Sequence, residues 1–103
     1  SNSKEITQMY YNVKSTAARI TELRNLAGYT REIAASKLGI DSGHLRHIEK
    51  GTRGCSVDLF IRLAELYNVS LDYLICGKDV NGKVLKAELK EIISTLSDFY
   101  QSL

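Results

Sequence analysis

The strongest constraint in the 103-residue sequence is the span from Arg31 to Lys50, where two short stretches of helical periodicity flank a single tight stop. Ile33, Ala34, Ala35 and Leu38 recur at helical spacing and end at Gly39. Ile40 then bridges to Asp41 or Ser42 as the next N-cap, and Leu45 and Ile48 fix a second helix that ends at Gly51. One residue between a stop and a cap leaves no room for a loop, so the two helices must meet at close quarters. Ala35 is small where they cross, Gly39 can take the positive φ of the turn, and Ile40, Leu45 and Ile48 supply a shared apolar seam.

The periodicity on either side extends this pair into a helical chain. From Ser15, read as an N-cap, Ala17, Ala18, Ile20, Leu23, Leu26 and Ala27 form a helix stopped by Gly28, and Thr30 caps the next with Glu32 in its first turn. After a loop over Thr52-Arg53-Gly54-Cys55, Ser56 caps a helix through Leu59, Phe60, Leu63, Ala64 and Leu66. Ser70 caps another with Leu71, Leu74 and Ile75. Residues 15–77 are therefore expected to form one five-helix domain, and the absence of Pro suits an all-α class. Residues 1–14 are expected to be an arm or a short helix, because Ile6, Met9, Tyr10 and Val13 share a helical face, and residues 78–84 read as a turn-rich linker. Leu85, Leu89, Ile92, Leu96, Phe99 and Leu103 alternate offsets of four and three, widened by Ile93 and Tyr100, so residues 85–103 are expected to be a sixth, amphipathic helix.

Charge narrows the partner. Residues 1–53 hold nine Lys/Arg against five Asp/Glu, and residues 54–103 hold five against seven, so an anionic partner is expected to meet the first half. The longest apolar run, Tyr73 to Cys76, is far short of the roughly 20 residues that span a bilayer, and no signal-peptide pattern occurs; a soluble, cytoplasmic protein is expected. Cys55 and Cys76 make no disulfide framework. With His44 and His47 they offer no Cys-x-x-Cys spacing either, so neither metal nor cofactor is expected. Asp41, Ser42 and His44 are neighbours on one helical turn and cannot form a nucleophile, base and orienter in front of a pocket, so no catalysis is expected. Tyr29, Phe60, Tyr67 and Tyr73 read as packing residues.

Gly28-Tyr29-Thr30-Arg31-Glu32 is similar to a Gly-Leu-Ser-Gln-Glu motif that opens a second helix, and Ile48-Glu49-Lys50-Gly51 to an Ile-Glu-Asn-Gly motif that closes a third. Together with Val69-Ser70-Leu71-Asp72-Tyr73-Leu74, they make residues 20–77 resemble the lambda-repressor and Cro-type, or XRE-like, helix-turn-helix family over more than half the chain. The resemblance implies a lambda-repressor-like five-helix DNA-binding domain with an additional C-terminal helix. It also implies that the third helix lies in the major groove, with Ser42, Gly43, Arg46 and His47 toward bases. Thr30, Arg31, His44, Lys50 and Arg53 are implied as phosphate contacts, and Arg24 and Glu49 as an orienting ion pair. Three departures stand out: Arg31 replaces the usual Gln, Gly43 sits inside the reading helix, and Cys55 replaces a frequent Pro.

The expected function is thus a double-stranded DNA-binding repressor, acting as a homodimer through the stripe Leu85, Leu89, Ile92, Leu96, Phe99 and Leu103 on a near-palindromic operator. Two alternatives stay open. One is an antitoxin that also represses its own operon, with a toxin or a protein anti-repressor as further partner. The other is a protein-interaction module that has lost DNA reading.

Overall fold

The computed structural model describes residues 11–79 and 82–103, so the arm or short helix read over residues 1–14 lies largely outside the described residues. Six helices follow: α1 (Val13–Leu26), α2 (Arg31–Leu38), α3 (Ser42–Lys50), α4 (Val57–Tyr67), α5 (Leu71–Cys76) and α6 (Lys83–Ser102). Four of them begin where a short polar side chain accepts from a first-turn N–H: Thr30 from Ile33, Asp41 from Gly43, Ser56 from Leu59 and Ser70 from Tyr73. α1 starts earlier than expected. Asn12, not Ser15, is its cap, with Asn12 Oδ1 accepting from the Ser15 N–H at 3.0 Å, which places Ser15 inside the first turn. Both residue types cap well, and what selects Asn12 is tertiary: Thr16, one turn in, is buried and donates to the Leu74 carbonyl at 2.9 Å.

α1 is the hub, packing on α3, α4, α5 and the start of α6, while α2 lies across α3 and α4, and α4 meets α5. Ile20, Leu38, Leu45, Ile48, Leu63 and Leu74 are fully buried at the centre, with Ala34 and Ala35 where α2 and α3 approach. The turn between those helices is as anticipated, with Gly39 at φ 71°. Ile33 and Leu71, grouped with the apolar faces by periodicity, are instead exposed.

Three helix C-termini are closed by cations from distant segments. Arg62 donates to the Leu38 carbonyl at 3.1 Å, Lys14 to that of Lys50 at 3.3 Å, and Arg19 to those of Leu74 and Ile75, both at 3.2 Å. Each supplies a donor to carbonyls that have no partner within their own helix and a positive charge to the negative end of its dipole.

α6 begins at Lys83, two residues before the expected start, and Val84, read as linker, is 5% exposed and belongs to the core. Gly82 has no side chain with which to cap it, and the Asp79 carboxylate reaches forward to accept from the Leu85 N–H at 3.2 Å. Beyond its second turn the helix leaves the domain, and every residue from Leu89 on is exposed. The radius of gyration is 15.3 Å, against about 13 Å for a compact chain of this length.

Candidate nucleic-acid interface

α2 and α3 are held against α1 by a charge cluster centred on Glu49. Arg24 on α1 donates Nε to Glu49 Oε2 at 2.8 Å and Nη2 to Oε1 at 3.0 Å, while its Nη1 donates to the Tyr29 carbonyl at 3.0 Å. The fork satisfies both carboxylate oxygens, and the Glu49 side chain is only 3% exposed. Hydrogen bonding to that carboxylate holds the Arg24 guanidinium above its ordinary range. Arg31, expected to be a phosphate contact only, also joins this cluster: its Nε lies 3.3 Å from Glu49 Oε1, and its side chain stays 38% exposed. No local signal ties Arg31 to a residue eighteen positions away. Tyr67 closes the cluster from α4. Its hydroxyl is buried without a hydrogen-bond partner among the described residues, and burial, aided by the Glu49 charge, pushes its pKa up to about 12.

The residues read as base-facing and phosphate-facing lie on α3, at the start of α2 and on the turns beside them. Arg46, His47 and Lys50 are exposed on α3, Ser42, Gly43 and His44 are half-buried at its start, and Thr30 and Arg53 are exposed on the flanking turns. A cleft of about 260 Å³ between the starts of α2 and α3 is lined by Arg31, Glu32, Ser42, Gly43 and Arg46. Gly43 has a local reason. Asp41 Oδ2 accepts from the Gly43 N–H at 3.0 Å, and a Cβ on residue 43 would stand 2.9 Å from that oxygen. Glycine spares the Asp41 carboxylate the small shift that any side chain at position 43 would impose.

The Thr52 hydroxyl lies 3.1 Å from both the His47 carbonyl, to which it donates, and His47 Nδ1, and so ties the exposed imidazole to the turn after α3.

The positive bias of the first half is much reduced at the surface by these structural duties. Lys14 and Arg19 close helix ends, Arg24 and Arg31 are bound to Glu49, and Lys37 sits 5.3 Å above the Tyr29 ring. Arg46, Lys50 and Arg53, on and just after α3, are exposed and show no such contact among the described residues. No described helix is long and apolar enough to cross a membrane, and no described cluster of three His, Cys, Asp or Glu side chains forms a metal site.

Residues 20–74 match the family described as helix-turn-helix. The chain is similar to the HTH-type transcriptional regulator ImmR of Bacillus subtilis, 38% identical over 88 residues that cover 82% of this chain and 69% of ImmR. It is also similar to the HTH-type transcriptional regulator YobD of the same organism, 33% identical over 73% of this chain and 68% of that protein. The HTH-type transcriptional regulator RamB of Mycobacterium tuberculosis is 29% identical over 73% of this chain, which corresponds to only 15% of RamB.

Proposed function

The chain belongs to the helix-turn-helix family and is a DNA-binding transcription regulator rather than an enzyme, and from that premise we propose that it is a repressor that occupies a near-palindromic operator as a homodimer. The observation that carries the reading is the convergence of exposed Arg46, His47, Lys50 and Arg53 on α3 and its following turn, beside the start of α2. The DNA-reading unit is the five-helix domain ending at Gly77, and α6 is the association element.

In this reading α3 enters the major groove. Arg46 donates to guanine O6 and N7, and the His47 ring hydrogen-bonds a neighbouring base edge. Ser42 and Gly43 approach base edges at the head of the helix. Arg31, Lys50 and Arg53 neutralise phosphates, with Thr30 at the positive end of α2 and His44 at the margin. The Arg24–Glu49 pair touches no DNA and sets the angle between α1 and α3. Occupying the operator is sufficient for repression, because a bound dimer excludes other proteins from the same groove.

Selection from random duplexes tests this directly. The expected outcome is an inverted repeat with half-sites about one helical turn, roughly 34–36 Å, apart, and a changed preference at one base pair per half-site for His47→Ala. Sedimentation of the whole chain is expected to show a dimer that Ile92→Asp dissociates. Selected sites with no two-fold symmetry, or a monomer at micromolar concentration, would defeat the dimeric part. Binding with no sequence preference would defeat the reading of α3.

A further inference from the structure

We infer that two copies of α6 pair antiparallel, with the two-fold axis near Ser94; the inference rests on the homodimer proposed above and gives that dimer its geometry. Leu85, Leu89, Ile92, Ile93, Leu96, Phe99, Tyr100 and Leu103 are each 48–89% exposed on one face of the helix. At roughly 100 Å² apiece they reach the about 800 Å² that each partner contributes to a standard interface. Such a face calls for an apolar occupant, and the asymmetry of its borders says which.

The stripe is widened on one flank only. Ile93 and Tyr100, with Lys86 two turns before Ile93, lie on one side, while Glu88, Thr95 and Ser102 lie on the other. A two-fold axis parallel to the helices brings unlike flanks together. It would set Ile93 against the partner's Glu88, desolvating a carboxylate against an aliphatic side chain. A two-fold axis perpendicular to the helices brings like flanks together. Ile93 then meets the partner's Ile93, and the partner's Tyr100 offers its ring to the Lys86 ammonium. The polar flank stays with its own kind at the opposite border.

One antiparallel register leaves no stripe position unpaired: Leu85 with the partner's Leu103, Leu89 with the partner's Phe99, and Ile92 with the partner's Leu96. The two Leu85 positions, 18 residues from their contacts, then lie about 27 Å apart along the seam. The two reading domains, each anchored at its own Val84, therefore stand at opposite ends of the helix pair. A parallel pair would bring both domains to the same end.

The test uses the whole chain with Cys55→Ser and Cys76→Ser, carrying either Leu89→Cys or Phe99→Cys. Under mild oxidation, antiparallel pairing is expected to give a disulfide-linked dimer only when the two variants are mixed. Crosslinking of each variant with itself alone would overturn the antiparallel geometry and leave the dimer standing. A dimer in sedimentation that crosslinks in neither way would move the seam off α6 and overturn the inference, whereas a monomer would remove the dimer and the inference together. With both native cysteines kept, Ile93→Lys and Ile93→Asp chains provide an independent check. Each alone is expected to weaken self-association at least tenfold, and mixing them to restore it. If Ile93→Lys alone associates as well as the unaltered chain, it is pairing with Glu88 across a parallel seam, and the inference fails.

Discussion

Glu49 accepts from Arg24 through both carboxylate oxygens and from Arg31 through one, at a site where little water reaches it. Removing one partner of such a pair leaves a desolvated charge, which costs more than the pair itself contributes. Arg24→Ala is therefore expected to lower unfolding stability by about 3 kcal/mol, measured by denaturant melting; an unchanged midpoint would show the cluster to be dispensable. Tyr67 has the opposite character. Its hydroxyl is desolvated and unpartnered among the described residues, so Tyr67→Phe is expected to raise stability by about 1 kcal/mol. The sign in alkali follows from its pKa, which rises from 10 to about 12 on folding. A group that holds its proton more tightly when folded contributes stability that is complete below pH 10 and is lost as pH climbs toward 12. Tyr67→Phe should flatten that part of the pH profile.

Among the elements, α6 divides into two docked turns and a free remainder. Val84 is buried with the core, and Glu88, one turn on, brings its carboxyl to Glu22 of α1. A side-chain hydrogen bond to Glu88, then burial and the Glu88 charge, raise the Glu22 carboxyl above its ordinary 4.5. Folding thus favours the shared proton. That contribution is present in acid and is lost as pH rises through the raised value, which leaves two carboxylates in mutual repulsion at neutral pH. Glu88→Gln is expected to slow hydrogen exchange over the first turns of α6 at pH 7 and to change it little at pH 4. Equal effects at both values would mean that charge plays no part in docking this helix. Periodicity alone does not reveal the junction, because Val84 lies off the stripe and its burial depends on α1 passing close by.

For the whole molecule, the proposed DNA affinity is expected to depend on the few cations placed on and beside α3. Of the basic residues in the first half, those on α1 close helix ends or anchor Glu49, and the reading side is left with Arg46, Lys50 and Arg53 and a share of Arg31. With Arg31, Lys50 and Arg53 on phosphate in each copy of a dimer, six contacts predict a slope of about −5 for log affinity against log salt concentration. Filter binding or anisotropy between 50 and 200 mM salt, concentrations typical of such measurements, would check it. A slope near zero would contradict phosphate anchoring. Lys50→Ala should reduce the slope by about two units, one for each copy.

By itself the sequence was sufficient for the number and order of the described helices, the single-residue turn between α2 and α3, and the family. Each of these rests on local chemistry: a cap, a glycine at positive φ, an apolar repeat. The Arg24–Glu49 pair was legible only because residues 20–77 resemble a family with that pair, since nothing local joins positions 25 apart. Tertiary structure alone decided the rest. It chose Asn12 over Ser15 as the first cap, drew Arg31 into the Glu49 cluster, buried Val84 and turned Lys14, Arg19 and Arg62 onto distant carbonyls. The Asn12 cap aside, these are burials or contacts of side chains against groups outside their own helix. Helical periodicity states which face of a helix is apolar, but only the packing of one helix on another determines which polar groups that face brings within reach.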